Sequence, residues 1–123
     1  MCHDIKNGLD VALKISKNKK AEVENAAVEA KLLKKIIGND PEKYGIVKML
    51  DYFPFRHHFV IVFEFLDMNL YKYIKQPNFR NFNRDLLRNI ATQMLTALEH
   101  LRVIGIIHCD LKPENVLFTN SNC

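Results

Sequence analysis

The side chains best suited to chemistry lie close together late in the chain, in Ile106-Ile107-His108-Cys109-Asp110-Leu111-Lys112-Pro113-Glu114-Asn115-Val116-Leu117. This stretch reads as a short apolar strand, a tight polar turn and a second apolar pair. The turn holds one carboxylate (Asp110), one ammonium two residues on (Lys112) and one amide (Asn115). Pro113 removes a backbone donor and fixes φ, so it stiffens the turn that presents the other three. Moving a phosphoryl group to a hydroxyl requires such parts. A carboxylate accepts the hydroxyl proton, a cation neutralises charge on the transferred group, and an oxygen ligand holds Mg²⁺.

The elements that must position these groups follow from periodicity. Residues 2–8 read as a strand end and a turn, with Lys6-Asn7-Gly8 as the hairpin signal, and residues 9–15 as a β-prone run carrying Val11-Ala12-Leu13-Lys14. A helix is predicted over residues 21–37, because Val23, Ala26, Ala27, Ala30, Leu33, Ile36 and Ile37 recur at three- and four-residue steps. Gly38-Asn39-Asp40-Pro41 stops it. Glu29 lies at the edge of that apolar stripe. Its neighbours at three and four residues are Asn25, Ala26, Leu32 and Leu33, so no cation on its own helix can pair with it. A carboxylate so placed wants a cation from another element, and Lys14 is the candidate.

Two strands are predicted over residues 46–55 and 59–65, joined by Arg56-His57-His58, which reads as a solvated turn because no third ligand stands at metal spacing. Asp67-Met68-Asn69-Leu70-Tyr71 opens a short helix, residues 76–83 form a polar loop, and residues 84–103 a long helix. Its core face is expected to carry Leu87, Ile90, Ala91, Met94, Leu95, Leu98 and Leu101, and Gly105 ends it. The chain thus divides into a mainly β part, residues 1–66, and a mainly α part, residues 67–123.

With 123 residues, 48% of them hydrophobic and 26% charged, the chain can build a core and is not disordered in bulk. The net charge of +4 comes from scattered basic residues with no aromatic interleaving, which disfavours a nucleic-acid partner. Cys2, Cys109 and Cys123 form an odd set without C-x-x-C spacing, as expected of a reducing compartment, cytoplasmic or nuclear. The most apolar segment, residues 59–66, is interrupted by Glu64 and too short to span a bilayer, so no membrane partner is expected.

His108, Asp110, Leu111 and Asn115 match the H-R-D-L-x-x-x-N pattern of protein-kinase catalytic loops, with Cys109 at the arginine position. The order strand-Lys, helix-Glu, strand pair, linker, long helix and H-x-D-x-K-P-E-N resembles the eukaryotic protein kinases over essentially the whole chain. His108-Cys109-Asp110, Val28-Glu29-Ala30-Lys31-Leu32-Leu33 and Phe63-Glu64-Phe65-Leu66 leading to Asn69-Leu70-Tyr71 resemble the dual-specificity tyrosine-regulated kinases in particular.

The resemblance implies an α+β chain, a partial bilobal kinase fold with part of the β-rich small lobe and the start of the α-rich large lobe. It implies ATP and Mg²⁺ as cofactors and proteins as substrates, with transfer to Ser/Thr and autophosphorylation on Tyr. Asp110 would be the base, Lys112 would steady the γ-phosphate and Asn115 would bind Mg²⁺. Lys14, held by Glu29, would hold the α- and β-phosphates. Phe63 would be the gatekeeper, Glu64 and Leu66 would offer backbone groups to adenine, and Ala12 and Leu117 would sandwich its ring. The sequence contains no glycine-rich loop before Lys14 and no D-F-G after Leu117. These residues alone are therefore expected to be inactive, and the alternative reading is a non-catalytic, kinase-like binding module.

Overall fold

Local hydrogen bonding shapes the first hairpin of the computed structural model, which describes residues 2–37 and 41–119. Strand β1 (Cys2–Asp4) turns into β2 (Leu9–Ile15) around the Asp4 carboxylate. That carboxylate accepts the backbone N–H of Lys6 and the side-chain amide of Asn7 at 2.9 and 2.7 Å. The Asn7 amide above all, with the Lys6 N–H, holds the Asp4 pKa below its usual value. Gly8 takes φ +68°, where a side chain would be strained, and its N–H donates to Asp4 O.

Helix α1 (Lys20–Ile37) follows, then a 3₁₀ turn (Pro41–Tyr44) and the hairpin β3 (Met49–Phe55) and β4 (His58–Glu64). The four strands form one antiparallel sheet in the order β1-β2-β4-β3. Alternation puts Phe59, Ile61 and Phe63 of β4 on one face, and α1 lies against it with Ala30. Ala30 and Ile61 are fully buried, with Met49 beside them and Leu33 packed onto the cluster. Ala26 and Ile36 are buried too, whereas Val28 and Leu32 face outward, so the helical stripe runs where its periodicity places it. Gly38, Asn39 and Asp40 of the expected helix stop lie outside the described residues, as does Cys123.

The second hairpin departs from expectation at both ends. The strand predicted from residue 46 begins at Met49, because the Glu64 carboxylate accepts the N–H of Lys48 at 2.8 Å in place of a ladder carbonyl. The expected three-residue turn shrinks to Arg56-His57, with Arg56 at φ +53°. His58 joins β4, and its Nδ1 lies 2.7 Å from Ser16 O.

The chain divides into two compact units at Phe65–Leu66. The second holds α2 (Leu70–Ile74), α3 (Arg84–Val103) and a 3₁₀ turn (Pro113–Asn115). Asn69 caps α2 by accepting Lys72 N–H, and Asn83 caps α3 by accepting Asp85 N–H. Tyr73, Phe79, Phe82 and Phe118 pack ring against ring and pin the polar loop between the helices.

The inward row of α3 is Leu86, Ile90, Met94, Ala97, Leu98 and Leu101, all at least half-buried. Leu87, Ala91 and Leu95, expected on the core face, are exposed instead. They form an adjacent row, and among the described residues nothing packs over it. The helix ends as expected, with Gly105 at φ +73°. Its N–H donates to Arg102 O and that of Ile106 to Leu101 O, the two bonds of a Schellman cap. That cap consumes the Ile106 N–H, so the apolar strand expected at Ile106-Ile107 does not form.

Candidate active site

In the first unit, strand register decides what Lys14 can reach. Lys14 stands opposite Ile61 and Ala12 opposite Phe63, so both share the face on which α1 lies. Lys14 Nζ donates to both carboxylate oxygens of Glu29, each at 2.7 Å. Both side chains stay substantially exposed, Lys14 at 59% and Glu29 at 38%. An ammonium carries three protons, so this grip leaves one to donate to an anion.

Phe63 packs on the Ala30–Ile61 core and pairs with both Ala12 and Met49 across the sheet. Beyond its side-chain bond to Lys48, Glu64 donates its backbone N–H to Lys48 O. Ala12 is half-buried.

In the second unit, the loop from Gly105 to Leu117 is anchored at both ends. Its start is tied by the α3 cap. Its far end forms an antiparallel bridge, Leu117 opposite Asn69, flanked by Leu70 N–H to Val116 O at 2.7 Å and Asp67 N–H to Phe118 O at 2.9 Å. Leu117 is partly exposed and Leu66 is half-buried. Between the anchors Cys109 takes φ +64°, unusual for a residue with a side chain, and its thiol donates to Ile107 O.

Asp110, Lys112 and Asn115 come together there. Lys112 Nζ lies 2.9 Å from Asp110 Oδ2, and Asn115 Nδ2 donates to that same oxygen at 3.1 Å and to Asp110 O at 2.9 Å. The other carboxylate oxygen, Oδ1, has no protein partner among the described residues. The Lys112 hydrogen bond above all, with a smaller contribution from Asn115, holds the Asp110 carboxyl below its usual range. The same bond raises the pKa of Lys112. Asp110 is therefore ionised throughout the neutral range, with one oxygen open to accept a proton.

His108 was read only as part of a motif, yet the Asp110 N–H points to its Nδ1 at 3.2 Å. That leaves Nδ1 as the acceptor and stiffens the backbone before the carboxylate. Only the two-residue spacing could have suggested it.

The donor sets fit the groups they would hold. Asn115 spends its NH₂ on Asp110, so its carbonyl oxygen, a hard ligand of the kind Mg²⁺ takes, is not used in those bonds. Among the described residues no group of three His, Cys, Asp or Glu could hold a metal by itself.

The protein kinase domain model matches residues 1–123. The chain is 44% identical over 117 residues to dual specificity tyrosine-phosphorylation-regulated kinase 4 of Homo sapiens, covering 94% of this chain and 22% of that protein. It is 42% identical over 119 residues to the serine/threonine-protein kinase ppk15 of Schizosaccharomyces pombe, covering 94% and 22%. A crystal structure of a kinase domain superposes with a TM-score of 0.89 at 34% identity, over 97% of this chain and 35% of that one. The chain thus spans about a fifth of the length of these curated relatives. It belongs to the protein kinase family and forms part of a kinase domain of the dual-specificity tyrosine-phosphorylation-regulated type.

Proposed function

We propose that the kinase domain containing these residues transfers the γ-phosphate of ATP, with Mg²⁺, to Ser/Thr hydroxyls of proteins and autophosphorylates on Tyr. The observation that carries this reading is the Asp110 carboxylate, ionised and fixed through one oxygen while the other stays open. Asp110 accepts the substrate hydroxyl proton at Oδ1. Phosphoryl transfer has a loose transition state, so a base of lowered pKa suffices: the hydroxyl must be oriented more than it must be deprotonated early.

Lys112, beside Asp110, offers its remaining protons to the transferred phosphoryl group. Lys14 holds the α- and β-phosphates with the proton that Glu29 leaves free. Asn115 contributes its carbonyl oxygen to Mg²⁺, which when bound neutralises charge developing on the phosphates. Ala12 and Leu117 supply apolar surface for adenine, Phe63 limits its depth, and backbone groups of Glu64 and Leu66 bond its edge. The protein acts on protein substrates in the cytoplasm or nucleus.

The test is Mg-ATP-dependent phosphorylation of a generic protein substrate by the complete kinase domain in which these residues occur. Asp110→Asn is expected to lower kcat by 10²-fold or more, the range of general acid–base contributions. Lys14→Met is expected to weaken ATP binding as well. Undiminished turnover in Asp110→Asn overturns the assignment. The 123 residues alone, which contain no D-F-G carboxylate, are expected to show negligible transfer.

A further inference from the structure

The sequence scatters its basic residues, but the fold of the first unit gathers four of them at one corner. Ser16 ties the end of β2 to the start of β4 by three bonds. Its N–H donates to Phe59 O at 3.0 Å, its hydroxyl accepts Phe59 N–H at 2.8 Å, and its carbonyl meets His58 Nδ1 at 2.7 Å. The Lys17–Lys20 segment thereby lies beside the Arg56-His57 turn, though some forty residues separate them in sequence.

Lys17, Lys19, Lys20, Arg56 and His57 are all exposed. Among the described residues, no carboxylate lies within ion-pairing distance of Lys17, Lys19, Lys20 or Arg56. Glu22 and Glu24, on the first turns of α1, are the acids nearest to Lys20 in sequence, and counting both still leaves the four cations in excess.

An apolar strip runs from this corner along the sheet face opposite α1. By register, Leu13 stands beside Val62, and Ile15 beside Val60 and Phe53, with Phe55 next on the same side. Leu13, Ile15, Phe53 and Phe55 are exposed, Ile15 at 58% and Phe55 at 54%. The Arg56 guanidinium sits over the Phe55 ring, 5.4 Å from its centroid, and joins strip to corner. Of the carboxylates on this face, Asp51 stands in the Leu13–Val62 row at the edge of the strip, whereas Asp4 and Glu64 lie toward the end away from the corner.

We propose that this face docks an acidic peptide segment of a partner protein, its apolar side chains on Leu13, Ile15, Phe53 and Phe55 and its carboxylates on Lys17, Lys19, Lys20 and Arg56. Charge complementarity selects the occupant. The strip, two aliphatic and two aromatic side chains, offers apolar surface to the leucine- and phenylalanine-type side chains of such a peptide. The surface is independent of the phosphotransfer groups.

The probe is a short fluorescent synthetic peptide in which glutamates alternate with leucine and phenylalanine, titrated by polarisation into the full chain. Saturable binding is expected, weakening with salt as the exposed charges are screened. Joint Lys17→Glu and Lys19→Glu substitution is expected to weaken it about tenfold or more. Ile15→Ser should weaken it several-fold, and Lys72→Glu on α2 should leave it unchanged. Arg56→Gly removes a charge at a backbone angle that suits glycine, so it weakens binding without straining the turn. Circular dichroism confirms that each variant is folded. Equal affinity for a peptide with serine at every apolar position would reduce the corner to a solvated charge cluster. Tighter binding of a single-stranded oligonucleotide of equal charge would assign the face to nucleic acid, and absence of saturable binding would end the proposal.

Discussion

Two groups of polar residues in this chain are held by opposite means. Lys14 and Glu29 sit on a strand and a helix and meet only because the sheet register turns Lys14 toward α1 and Ala30 packs flat on Ile61. Asp110, Lys112 and Asn115 lie within six residues, and backbone bonds of a single loop bring them together. The first arrangement depends on core packing and the second on turn conformation. Substitutions that unmake one should therefore be of a different kind from those that unmake the other.

The largest effect is expected from Ile61→Ala. It empties a fully buried position under α1 and should cost about 2–5 kcal/mol in denaturant unfolding. Loss of the Lys14–Glu29 pair should follow, seen as altered side-chain NMR signals of Lys14. Cys109→Val, which forces a β-branched side chain to φ +64°, should cost about 1–2 kcal/mol. Cys109→Gly should be neutral or slightly stabilising, and equal behaviour of the two would remove strain from the description of the loop.

Glu29→Gln is expected to change stability by only about 0–1 kcal/mol, since the pair is largely solvated. A much larger loss would mean that the pair helps to hold α1 on the sheet.

The mildest test is a titration. Asp110 should show a midpoint below the usual carboxylate range by carboxyl NMR, returning toward it in Lys112→Ala. Because the folded value is the lower one, the bond stabilises above the unfolded pKa and is lost as pH falls through the folded pKa.

Much of this was legible in the residues. The three- and four-residue spacing of α1 placed Ala26, Ala30 and Ile36 inside. The absence of a cation near Glu29 on its own helix pointed to Lys14. The errors have physical causes. Periodicity in α3 marks a broad apolar arc, and it cannot say which of two adjacent rows meets a neighbour, so Leu87 and Leu95 were placed inside while Leu86 and Ala97 were missed. Ile106-Ile107 has the composition of a strand, but a β-prone pair needs a free N–H, and the helix cap takes the one on Ile106. The bonds of Ser16 to His58 and Phe59 join segments whose proximity only the sheet order reveals.

The crowding of Lys112 and Asn115 onto one oxygen of Asp110 has a consequence for symmetry. A free carboxylate offers two equivalent acceptors, and a hydroxyl can approach either. Half a turn about the last side-chain bond exchanges the oxygen atoms here too, yet it restores the same arrangement, because whichever atom faces the two donors is occupied. The loop thus fixes a direction of proton acceptance without fixing an atom, and an incoming hydroxyl meets a single open acceptor however often the group rotates.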